Sequence, residues 1–150
     1  MSKHVDAASN PLDQKRELME LLSQETRHKI IQFILGHPAH LMSADELDYM
    51  ITSRSKKAIE DQLAVLVEEE ILAKYHHAPN ESVRDYPANF FGPTEYGIAV
   101  LGDFGYLDGV PFVRAVYERT RMTDRIERHQ TAPRPSLPAA VQDALAVDDS

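Results

Sequence analysis

Arg54, Lys56 and Lys57 crowd into one short stretch, and Glu68, Glu69 and Glu70 follow a little further on. Between them Ile59, Leu63, Leu66 and Val67 fall on one face of a helical wheel, so the segment reads as one helix over about 54–70. Its charges sit at the unfavourable ends, because a helix carries partial positive charge at its N-terminus, and each misplaced charge costs a few tenths of a kcal/mol. Bound phosphates would relieve that cost. Opposite the apolar face lie Arg54, Lys57, Ala58 and Asp61, with Gln62 at the margin, Lys56 on a flank, and the hydroxyls of Ser53 and Ser55 at the start. A helix entering the major groove of DNA carries such groups, since Arg and Gln bond bidentately to base edges. The competing reading is a solvated face laced by the i,i+4 pairs Lys56–Glu60 and Lys57–Asp61. Both pairs run in the weaker Lys-first direction, and Arg54 has no partner at that spacing.

A second polar set, Asn80, Ser82 and Arg84, lies in the connection 78–86. Arg84 suits a phosphate or the minor groove, and equally a pairing with Asp85 or Glu81. Of the neighbouring His76 and His77 only one can face a ligand, because successive strand residues point to opposite sides. His37-x-x-His40 lies near Asp45 and Glu46, but zinc needs three or four converging ligands, and Pro38 breaks helical spacing. No metal or other cofactor is expected. Nor is there a Gly-rich phosphate loop, an HExxH pair or a Ser–His–Asp set, so the residues do not support an enzyme.

The elements that must position these groups follow from caps and apolar periods. Residues 1–10 are polar and expected to be disordered. Asn10-Pro11 then starts a helix over about 11–22, and Gly36 and Pro38 stop a second over about 25–36. Ser43 and Glu46 form a capping box for a short third helix, about 44–51, with a turn at Thr52-Ser53 before the basic helix. Residues 71–77 and 87–92 read as two strands, and Thr94 caps a further short helix. A short helix turning into a longer one, with a hairpin behind it, is a winged helix-turn-helix. The fold class is therefore mainly α with a small β-hairpin, and this domain spans 11–104. A helix over about 110–129 puts Phe112, Val113, Val116 and Tyr117 on one side, to be covered by its own domain or by a second chain. "APRPSLP" (132–138) reads as a stiff linker before a short tail helix that ends the 132–150 segment.

At 150 residues and 43% hydrophobic, the chain suits one domain with a helical appendage. It has no cysteine, no apolar run near membrane-span length and no signal-peptide pattern, so a cytoplasmic protein with no membrane partner is expected. With 24 acidic against 16 basic residues, its net charge of −8 disfavours non-specific nucleic-acid binding by the whole surface. It leaves room for one local basic face.

"NPLDQKRELMELL", "QETRHKII", "ILGHPAHL", "SRSKKAI" and "FFGPTEYG" resemble small winged helix-turn-helix regulators of halophilic archaea, allied to the arsenic-repressor-like (ArsR) group. "RIERHQTAPRPSLP" resembles their C-terminal segment. The resemblance implies a cytoplasmic, dimeric, DNA-binding transcription factor with a C-terminal dimerisation helix, here 105–131. It implies a recognition-helix start at Ser53 to Ala58 and a wing at Asn80 to Arg84. Lys57 and Ala58 depart from the small hydroxyl residues of such relatives, and the cysteines of metal-sensing members are missing. The expected partners are double-stranded DNA and a second copy of the chain. The alternative is a winged-helix protein-interaction module that uses its acidic faces within a transcription or replication assembly.

Overall fold

The computed structural model describes residues 10–77, 87, 89–120 and 122–149, with the side chains of Phe112, Tyr117 and residues 147–149 outside that description. Helix α1 (Pro11–Ser23) begins where Asn10 Oδ1 accepts the Asp13 amide at 2.9 Å. Gln24 then caps α2 (Glu25–Gly36), accepting the Arg27 amide at 2.8 Å. The capping box forms at α3 (Ala44–Met50): Ser43 Oγ accepts the Glu46 amide at 3.2 Å, and Glu46 Oε1 accepts the Ser43 amide at 3.0 Å. Each cap satisfies an amide that the first turn cannot.

Helix α4 runs over Lys56–Glu68, shorter than expected at both ends. Ser55 Oγ accepts the Ala58 amide at 3.1 Å, which makes Ser55 the cap and leaves Ser53 and Arg54 in the preceding turn. At the other end Glu70 adopts φ 63°, and the Ile71 amide reaches back to the Leu66 carbonyl at 3.0 Å. That left-handed closure takes Glu69 and Glu70 out of the helix. Strands β1 (Leu72–His76) and β2 (Asn89–Pro93) pair antiparallel, with Tyr75 opposite Phe90 and Lys74 opposite Phe91. Met42 bonds Phe91 in both directions, at 3.1 and 2.8 Å, which ties the hairpin to the residues just before α3.

Helix α5 (Glu95–Asp103) starts at the Thr94 cap, which accepts the Gly97 amide at 2.8 Å. A Cβ on Gly97 would lie 2.0 Å from the Ile71 carbonyl oxygen, so only glycine lets α5 sit this close to β1. A 3-10 turn (Tyr106–Gly109) leads into α6 (Val110–Arg119), followed by α7 (Asp124–Thr131). The single helix expected over 110–129 is therefore two. Thr120 Oγ1 donates to the Val116 carbonyl at 2.8 Å, and Thr123 Oγ1 accepts the Ile126 amide at 3.3 Å. Two threonine hydroxyls thus offer the backbone partners that end one helix and begin the next. Helix α8 (Ala139–Asp149) closes the described chain. No helix among the described residues is long and apolar enough to cross a membrane.

The core joins Ile30, Ile31 and Ile34 of α2 to Leu47 of α3, Ile59, Leu63 and Leu66 of α4, and Leu101 of α5, all essentially inaccessible. Each such side chain contributes roughly 1.5–3 kcal/mol by leaving water. This cluster fixes how α4 is presented. Helix α6 lies on α2, where a Cβ on Gly36 would fall 2.4 Å from Val113 Cγ1. A smaller cluster, Ile98 with Val141 and Leu145, seats α8 on α5.

Candidate nucleic-acid interface

The basic residues singled out above converge at the head of α4, but each has an acidic neighbour. Arg54, expected on the exposed face of the helix, sits in the turn and reaches back to α2. Its Nε donates to Thr26 Oγ1 at 3.2 Å, and Nη2 lies 3.7 Å from Glu25 Oε2. Arg54 therefore does have a partner, one that helical spacing could not reveal. Lys56 does not pair with Glu60; its Nζ is 2.6 Å from Asp45 Oδ1 on α3, and Arg125 of α7 lies 3.8 Å from the other oxygen of Asp45. Lys57 does make its i,i+4 pair, 2.8 Å from Asp61 Oδ1. Lys29 of α2 joins the group, 3.2 Å from Glu25 and 3.3 Å from Ser53 Oγ.

These pairings move the carboxyl and amine equilibria. The Lys29 hydrogen bond and charge, with Arg54 behind them, hold the Glu25 carboxyl below its ordinary value. Burial pushes Asp45 up, but the hydrogen bond and charge of Lys56, with the charge of Arg125, outweigh it and the result is a lowered value. Asp45 raises Lys56, and Asp61 raises Lys57, in each case first through a hydrogen bond. In Glu25, Asp45, Lys56 and Lys57 the shift favours the charged form.

The remaining candidates divide. Ser53 is exposed beside Arg54, whereas Ser55 spends its hydroxyl oxygen on the cap and Ala58 is half-buried. Gln62, expected at the margin of the open face, is half-buried and accepts from Arg27 Nη1 at 2.7 Å. Arg27 is itself anchored to the Leu21 carbonyl at 2.7 Å. Further along α4 the exposed stripe is Glu60, Asp61, Ala64 and Glu68. A polyanion can therefore meet α4 by its N-terminal end, where the helix dipole is also favourable, and not along its length.

Asn80, Ser82 and Arg84, the expected wing residues, lie outside the described residues. Of the adjoining histidines, His77 donates Nε2–H to the Pro133 carbonyl at 2.7 Å and stacks edge-on against Phe90, while His76 stays exposed. His37 also turns inward. Its Nδ1 accepts the Ala39 amide at 3.0 Å and its Nε2 donates to Gln130 Oε1 at 2.9 Å. Among the described residues no three His, Asp or Glu side chains gather as metal ligands.

Sequence reasoning missed a buried clasp behind this face. Arg134, in the segment read as a linker, has a side chain only 8% exposed and pairs with Glu46, which is wholly buried. It also donates to the carbonyls of Leu41, His129, Gln130 and Ala132, and its guanidinium lies 4.9 Å over the Phe90 ring. Residues 132–138 thus form a strap that holds α3 against the hairpin. A lone arginine among prolines and an acid at the third position of a capping box were the available signals, and neither names the other.

Of the residues expected at a partner chain, Val113 packs on Gly36 of its own α2, and Val116 is 40% exposed. The side chains of Phe112 and Tyr117 lie outside the described residues.

The chain as a whole is similar to a solved structure from Halomicrobium mukohataei, described as a protein with a GntR superfamily winged-helix-turn-helix domain. The two share 27% identity at a TM-score of 0.79, over 94% of this chain and 99% of that one. No protein-family model and no curated protein matches the sequence. With the helix order, the hairpin and its bridge to Met42, this likeness establishes a winged helix-turn-helix fold.

Proposed function

We propose that the chain is a sequence-specific DNA-binding transcriptional regulator acting as a homodimer. The observation that carries this reading is the head of α4. It is the exposed end of the second helix of a helix-turn-helix, and it brings Ser53, Arg54, Lys56 and Lys57 to one surface of an otherwise acidic protein. Lys57 and Arg54 meet base edges or phosphates at the groove, Lys56 and Lys29 the flanking backbone, and the segment 78–86 with Asn80, Ser82 and Arg84 serves as the wing. Two copies joined through α6, where Val116 is exposed, read half-sites about 10–10.5 bp apart. The haloarchaeal origin of the structural neighbour supports a cytoplasm rich in potassium as the setting. The sequence blocks resemble ArsR-like regulators, whereas the neighbour's domain is described as GntR superfamily. Winged-helix regulator is the class on which both agree.

Retention on a random-sequence DNA pool in molar KCl, followed by sequencing, tests the proposal. An enriched two-fold-symmetric motif is expected, and recovery of unenriched DNA would refute it. One observation favours a second reading: Glu60, Asp61 and Glu68 make most of α4's open stripe acidic. A protein-interaction module would use that stripe, and would leave the pool unenriched.

A further inference from the structure

Three cations at the head of α4 are held by carboxylates from three different helices: Arg54 by Glu25 of α2, Lys56 by Asp45 of α3, and Lys57 by Asp61 of α4 itself. The acid side chains are not core groups; their exposures are 62%, 28% and 57%. They stand where DNA phosphates would have to come. We infer that Glu25, Asp45 and Asp61 set the affinity and salt response of the interface by occupying its cations in the free protein and yielding them to phosphate on binding. This rests on the DNA-binding reading above.

Ordinarily a cation that neutralises a phosphate releases counterions into solution, and affinity falls steeply with salt, by about 0.9 log unit per contact. Here the cation already carries an anion. When phosphate displaces it, the freed carboxylate takes up a cation from solution, and this uptake offsets the release from DNA. The three acids are not equivalent. Glu25 keeps Lys29 when Arg54 leaves, and Asp45 keeps Arg125 when Lys56 leaves. Asp61 has no second cation among the described ion pairs, and it lies on the same exposed stripe as Lys57. Asp61 is therefore the acid whose removal acts most.

The test uses the full chain with Glu25→Gln, Asp45→Asn and Asp61→Asn, singly and together. The probe is a labelled duplex carrying the sequence enriched from the pool, titrated by fluorescence anisotropy from about 0.1 M to about 2 M KCl. Each single change is expected to tighten binding at the low-salt end by roughly two- to five-fold, the scale of an exposed ion pair. Asp61→Asn should lead the series. The triple variant should show a salt slope steeper than wild type by up to about three log units per log unit of salt. In a Lys57→Gln background, Asp61→Asn should lose most of its effect, which a general change in net charge would not do. Equal slopes for wild type and triple variant, with both binding the duplex, would overturn this inference and leave the DNA reading standing. Absence of binding by every variant at every salt would remove both.

Discussion

Among the described residues Lys57 is the most open of the proposed interface cations, its side chain 81% exposed on the first turn of α4. Truncating it opens no cavity, so Lys57→Ala should leave urea unfolding unchanged while weakening specific DNA binding by about 1–3 kcal/mol if it contacts a base edge. Arg54→Ala should weaken binding as well, and at slight cost to the fold, because it also releases Thr26 and Glu25. Wild-type affinity in the double variant at matched salt would end the recognition-helix assignment. His37 offers a test of a different kind. Burial, and then the nearby charge of Arg134, push its pKa down to about 4 from 6.5, with the Gln130 hydrogen bond opposing them. The folded state thus binds its proton less readily than the unfolded chain. The stability His37 contributes is full above pH 6.5 and is lost as pH falls toward 4, a change on the order of 3 kcal/mol. Urea unfolding of His37→Gln should be less pH-dependent than wild type across that window. The cations were legible in the sequence as a cluster. Of their partners only Asp61 was, because it lies at helical spacing from Lys57, whereas Glu25 and Asp45 arrive from other helices.

Elements closed by a local signal were readable. Asn10-Pro11, Ser43 with Glu46, and Thr94 each make the hydrogen bond that their residue type suggests, and the helices they cap begin as expected. The break between α6 and α7 was less readable, since Thr120 and Thr123 could equally have sat inside one helix with the apolar spacing intact. The strap was read wrongly for a further reason. Prolines predict a stiff extended path, and they say nothing of whether that path lies on the protein or leads away from it. It lies on the protein, and Arg134 makes the attachment. Arg134→Met leaves Glu46 buried without its cation, which should destabilise the fold by about 3–5 kcal/mol in urea titrations. Adding Glu46→Gln to that variant should recover part of the loss, because the unpaired charge is then gone.

For the whole molecule, the apolar periods and caps carried the winged helix-turn-helix, whereas the expected dimer through 105–131 rested on the resemblance. Val110 joins the core and Val113 lies on Gly36, so one side of α6 is covered by its own chain. Val116 stays exposed, and under the proposed dimer Val116→Glu is expected to give a monomer by light scattering, with helicity unchanged. A dimer that survives would move the interface to α1, where Leu12 is 79% and Met19 50% exposed. The clasp has its own bearing on how the molecule behaves over time. Glu46 and Arg134 are 88 residues apart in the chain, so their meeting closes a long loop, whereas the caps and the hairpin close short ones. The helix-turn-helix and hairpin can assemble before the strap arrives, and a contact formed after the rate-limiting step acts on unfolding alone. Arg134 is then a brake on opening: stopped-flow traces of Arg134→Met should show refolding at the wild-type rate and unfolding about a hundredfold faster or more.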